Sequence, residues 1–122
     1  MKWLAFVIDA VLVVAFAAIG MVQHHGGFDA AGLAVVAWPF LVALVAGWAV
    51  SLAWRAPWGP VRVGLPVWAV TVVGGLLLRA ATGGGTATAF VIVTAVTLLV
   101  LLVGWRLIAL PIRAARRSRT AA

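Results

Sequence analysis

Residues 3–22 read WLAFVIDAVLVVAFAAIGMV, an apolar run broken by one charge, Asp9. The hydrocarbon core of a bilayer takes roughly 20 apolar residues as a helix, so this stretch is long enough to cross a membrane once. Working outward, the same length and apolarity recur over residues 30–53, which hold no charge. They recur over 63–81, with Arg79 near the end, and over 86–110, with Arg106 near the end. The connections are short and rich in Gly and Pro, as helix breakers should be. Asp29 is placed to cap the second span, and Thr86 or Thr88 the fourth. Short loops force antiparallel neighbours, so the reading is an all-α transmembrane four-helix bundle made of two helical hairpins. Residues 1–112 form one integral membrane domain and residues 113–122 a basic tail.

Composition agrees. Of 122 residues, 66% are hydrophobic and 9% charged, where a soluble domain usually carries about 25% charge. Such a chain cannot coat a water-soluble globule, and it is far too apolar to be disordered. It has no cysteine, which removes disulfides and thiolate chemistry. The start of the chain imitates a secretion signal, with Lys2, an apolar run and Ala15-Phe16-Ala17. An acid inside that run, at position 9, argues that the span is retained.

The net charge of +7 is unevenly spread. Lys2, Arg55, Arg62, Arg106, Arg113, Arg116, Arg117 and Arg119 all fall toward one side of the bundle, and only Arg79 toward the other. Basic residues mark the cytoplasmic side, so both termini are expected in the cytoplasm of a multi-pass plasma-membrane protein. Trp3, Trp54, Trp58 and Trp105 fall near the same boundary, as an aromatic belt. The expected partners are the lipid bilayer and either further copies of the chain or another membrane protein. The tail suits anionic lipid. Nucleic acid is not expected, because no reading element accompanies the basic residues.

The polar exceptions inside the spans are the candidate site residues: Asp9, Arg79, Arg106, Thr71, Thr94 and Thr97. A charge at the middle of a spanning helix costs about 2.5–3.5 kcal/mol on insertion scales. Asp9 lies roughly 9 Å, and Arg106 roughly 6 Å, from the same face, so the two can meet if the first and fourth spans are neighbours. One reading is an ion pair that fixes packing. The other makes Asp9 a proton or cation site, poised by loss of water and tuned by Arg106. Arg79 can snorkel to the outer headgroups or pair with Asp29. His24, His25 and Asp29 share the outer loop, but adjacent side chains diverge and no metal site is expected. Pro39 is placed to kink the second span, with Trp38 and Phe40 beside it. Small residues recur every four positions at Ala43, Gly47 and Ser51, and at Thr71 and Gly75 before Arg79, as close-packing faces. With an offset of 57, Gly47-Trp48 aligns with Gly104-Trp105 and Gly26-Gly27 with Gly83-Gly84. Coincidence is the better explanation in a composition this narrow.

Several of these residues together resemble a family of small prokaryotic four-span membrane proteins classed as a domain of unknown function. The likeness rests on Asp9, Ile19-Gly20 and His24, then on Trp38-Pro39-Phe40, Gly47-Trp48 and Trp54-Arg55. It continues through Val67-Trp68, Thr71, Leu78-Arg79, Ala89-Phe90-Val91 and Gly104-Trp105-Arg106. This chain has Met21-Val22-Gln23 where basic residues often follow the glycine in that pattern. The resemblance implies no activity, substrate or cofactor. It does imply that Asp9, Arg79 and Arg106 belong to one recurring constellation.

Two functions stand open. The first is a small transporter or channel acting as a homo-oligomer, with Asp9 as the working group and Thr71, Thr94 and Thr97 as its lining. The alternative is a non-catalytic subunit that scaffolds or regulates a larger membrane complex. An enzyme is not expected: two acids, two histidines and no cysteine or tyrosine are too thin an inventory for general acid–base or nucleophilic chemistry. No cofactor is expected either.

Overall fold

Inside hydrocarbon every backbone N–H and C=O must find its partner within the protein, which leaves helices as the way for so apolar a chain to fold. The computed structural model describes residues 2–25, 30–83 and 88–121, and side chains over 3–20, 30–83 and 88–116. The helices are α1 (Lys2–His25), α2 (Ala30–Ser51), α3 (Leu65–Ala81), α4 (Thr88–Leu98) and α5 (Gly104–Ala121). Among the described residues there is no strand. Four stretches are long and apolar enough to cross a membrane: Trp3–Gly20, Ala30–Ser51, Pro60–Ala81 and Thr88–Arg116. They are arranged as two hairpin-like pairs. Asp29 and Thr86, the expected caps, lie outside the described residues.

The second and third spans make the most extensive helix–helix contact, and small residues are the reason. A Cβ added to Gly47 would lie 3.2 Å from the Val67 carbonyl oxygen, and one added to Gly74 would lie 3.1 Å from Ala43 Cβ. At Gly75 an added Cβ would collide with the Phe40 ring. Lipid tails are as apolar as leucine, so apolarity alone does not hold helices together in a membrane, and close backbone approach does. Phe40 is fully buried, meets Phe16 edge-on at 5.6 Å and lies 6.5 Å from Phe90. Its neighbour Pro39 is also buried within an unbroken α2, whereas Trp38 faces outward.

Two wide π-type turns interrupt the regular pitch, at Pro60–Gly64 ahead of α3 and at Leu99–Val103 between α4 and α5. The second has a clear geometric effect. Thr94, Leu98, Leu102 and Arg106 are all fully buried, at strict four-residue spacing. In a helix of 3.6 residues per turn, that spacing rotates the stripe by about 40° per step. A wider turn takes up part of the drift, so Arg106 still points inward twelve residues after Thr94. The helix then runs on through Pro111 to Ala121, past residue 110 where the apolar run was expected to end.

Between α2 and α3 the chain turns at Leu52, whose φ of 54° is left-handed, an uncommon conformation for a residue with a side chain. A short 3₁₀ turn over Ala53–Arg55 follows, and Pro57 is buried beneath the loop.

These contacts give a direct test of the α2–α3 interface. Gly75→Ala is expected to destabilise the protein by about 1–3 kcal/mol through overpacking, read as a lower thermal midpoint in lipid nanodiscs. Phe40→Leu in the same chain should restore part of the loss. Gly20→Ala, where an added Cβ meets nothing within 4 Å, should leave the midpoint unchanged or raise it.

Candidate functional site

Asp9 sits two turns into α1 with no solvent exposure. Arg106, in the first turns of α5, is equally buried. The guanidinium meets the carboxylate as a bidentate fork: Nη1 donates to Oδ1 at 2.9 Å and Nη2 to Oδ2 at 2.7 Å. Two indoles complete the carboxylate shell. Trp48 Nε1 donates to Oδ2 and Trp105 Nε1 to Oδ1, each at 2.8 Å. An ionised carboxylate has about four lone-pair sites, and four N–H groups fill them. No lone pair remains to hold a cation or a substrate.

Four of the five guanidinium N–H groups are bonded in turn. Arg106 Nε donates to the Pro57 carbonyl and Nη1 also donates to the Leu102 carbonyl, both at 2.8 Å. Its Cζ lies 4.7 Å from the Trp105 ring centroid, so this indole stacks on the cation while its N–H serves the anion. Gly64 leaves room for the arm, since an added Cβ there would lie 3.3 Å from Arg106 Cδ. Trp48 is buttressed by Phe6, edge-on at 5.2 Å, and by Trp3, stacked at 6.1 Å. The site thus draws on α1, α2, the α2–α3 connection and α5. The net charge of the pair is zero and every oxygen is bonded, which is what a buried ion pair needs to offset its desolvation.

The remaining candidates lie elsewhere. Arg79 is near the far end of α3, about 22 Å along the helix from Gly64 at the usual rise, and its Cζ lies 4.6 Å from the Phe90 ring centroid. It does not join Asp9 and Arg106. Thr71 and Thr94 are fully buried, and their hydroxyls have no hydrogen-bond partner among the described residues. Thr97 is half-buried on the same helix as Thr94. Close by, Trp68 Nε1 donates to the Ala95 carbonyl at 2.8 Å and ties α3 to α4. The side chains of His24 and His25, and all of Asp29, lie outside the described residues. So the outer-loop cluster and the Arg79–Asp29 pairing have no geometry to report.

Sequence reasoning missed four groups around the ion pair: Trp48, Trp105 and the Pro57 and Leu102 carbonyls. A signal for the tryptophans was present, because the offset of 57 aligns Gly47-Trp48 with Gly104-Trp105. In the structure those two indoles serve the two oxygens of one carboxylate.

Residues 6–109 match the profile of a family described as "Protein of unknown function (DUF3054)". That range includes Asp9, Trp48, Trp105 and Arg106. No curated protein and no solved structure matches the chain.

Removing one member of the pair leaves the other as an uncompensated buried charge, a change worth about 3–5 kcal/mol. Arg106→Leu and Asp9→Leu should therefore each lower the thermal midpoint steeply, while the Asp9→Leu/Arg106→Leu double variant should be more stable than either. Trp48→Phe should cost about 1.5–3 kcal/mol, as for other hydrogen bonds to charged groups.

Proposed function

The chain belongs to the DUF3054 family, and from its geometry we propose that it is a non-catalytic subunit that scaffolds or regulates a larger membrane assembly. One observation carries this reading: the only carboxylate described in the spans is saturated by four N–H donors and has no exposure. A transporter working through Asp9 would have to dismantle that shell in every cycle, including a bidentate ion pair. Gly47, Gly74 and Gly75, the bare positions of α2 and α3, are used within the chain. The outward faces carry many large apolar side chains, such as Val7, Val11, Ile92, Val96 and Val100. Those faces are left for lipid, a partner or a second copy. The catalytic inventory supports no enzyme reaction.

One observation favours the transport reading. The Thr71 and Thr94 hydroxyls are buried with no hydrogen-bond partner among the described residues, and polar atoms of that kind in a membrane interior can line an ion or substrate path. On that reading the path would serve a homo-oligomer.

Purification of the full chain from its own membrane under mild solubilisation separates the two. A stoichiometric membrane partner is the expected result. A lone homo-oligomer whose liposome flux disappears in a folded Asp9→Asn variant would overturn the subunit reading.

We also propose that both termini face the cytoplasm, on the strength of the basic residues gathered at that end. The chain lacks cysteine, so single replacements report sidedness cleanly. In intact cells an impermeant maleimide is expected to label Thr82→Cys, and to label Ala56→Cys only after permeabilisation. The reverse pattern would invert the topology.

A further inference from the structure

We propose that the bundle end carrying Arg113 is a docking surface for anionic lipid headgroups, with the Arg113–Trp58 stack at its centre. Depth is the first argument. From Thr88 the fourth span is helical to Ala121, about 50 Å at the usual rise, whereas the hydrocarbon core is roughly 30 Å thick. Counted from Thr88, the helix leaves that core near Leu107 and Ile108. Leu107, Ile108, Leu110 and Ile112 are exposed and apolar, so the wall stays oily up to Ile112. Arg113 follows at once, at headgroup depth, and Arg116 is one turn further out.

Geometry is the second argument. Arg113 Cζ lies 4.8 Å from the Trp58 ring centroid, and Trp58 meets Trp105 edge-on at 5.3 Å. Stacking occupies the flat face of the guanidinium and leaves its N–H edge for a bidentate contact with a phosphate. Because Trp105 also bonds Asp9, the arginine is posed by a chain of contacts rooted in the buried ion pair.

Charge is the third. Arg55 and Arg62 are exposed in the α2–α3 connection, and Arg116 is exposed on α5. At this end the one acidic side chain among the described residues is Asp9, already neutralised by Arg106. This end therefore carries an excess of positive charge over acidic side chains, which an external anion complements. At this depth, beside an apolar wall, the anion is the phosphate of a lipid rather than a soluble polymer.

The test uses the full chain in detergent micelles, titrated with phosphatidylglycerol or phosphatidylcholine and read by native mass spectrometry and thermal midpoint. Phosphatidylglycerol is expected to be retained preferentially, less so as salt rises. Each basic residue near an anionic surface is worth about fivefold in affinity, so Arg113→Gln and Arg116→Gln should each weaken retention by about that factor. Arg113→Lys should weaken it less. The Arg55→Gln/Arg62→Gln pair, which leaves both partners of the Arg113–Trp58 stack in place, checks the same surface through other residues. Equal retention of the two lipids would overturn the proposal, as would unchanged retention in folded variants. So would displacement of the lipid by inorganic phosphate or by an oligonucleotide, which would mark a site for soluble anions.

Discussion

Neither a lone carboxylate nor a lone guanidinium is tolerated in hydrocarbon, and this chain commits one of each to its interior at positions 9 and 106. Each is acceptable only where the other is. The pairing therefore sets which helices are neighbours. Chain order and short connections bring the first span beside the second and the third beside the fourth, and α2 docks on α3 through small residues. What remains is to close the first span onto the fourth. Direct contact between α1 and α4 is limited, so the bonds from Arg106 and Trp105 to Asp9 provide that closure, while Trp48 ties Asp9 to α2. Four N–H groups on one carboxylate also fix rotation, because a helix turned by one residue could not present Asp9 to all of them.

Two kinds of specificity thus divide the bundle. Around Phe40 and Gly75 it is steric: the fit of an aromatic ring against a bare backbone. Around Asp9 it is electrostatic and directional. The π-type turn at Leu99–Val103 connects the two regions. It lets one continuous stripe, from Thr94 to Arg106, serve apolar packing at one end and charge pairing at the other. The same turn sets the heading of α5 as it leaves the bundle toward Arg113 and Arg116.

Much of this was legible in the sequence, for physical reasons that differ by residue. The spans follow from hydropathy and length, which a bilayer enforces strictly. The meeting of Asp9 with Arg106 follows from matching depths in antiparallel helices. Arg79 was harder to place: its four-residue spacing from Gly75 pointed it toward the bundle, and it does stack on Phe90, but at the opposite end from Asp9. The shell around Asp9 left only a faint trace, the repeat of Gly-Trp at an offset of 57. Tryptophans near a membrane boundary look alike whether they anchor in headgroups or turn inward to donate a hydrogen bond, and only the fold tells Trp48 from Trp54. The Pro57 carbonyl is a backbone atom in a loop and carries no side-chain signal. The π-type turn at Leu99–Val103 lies in a run of Leu and Val that would suit a regular helix equally well.

In a bilayer, Asp9 is closed off by Arg106, Trp48 and Trp105. Solid-state NMR on the full chain in lipid tests it most directly, by dipolar recoupling between Asp9 Cγ and nitrogen labels in arginine and tryptophan. Strong contacts to the Arg106 Nη atoms and to the Nε1 atoms of Trp48 and Trp105, with no polarisation transfer from water to Asp9, are predicted. An Asp9 carboxylate that couples to water and to none of those nitrogens would mean that the carboxylate is open and not sealed.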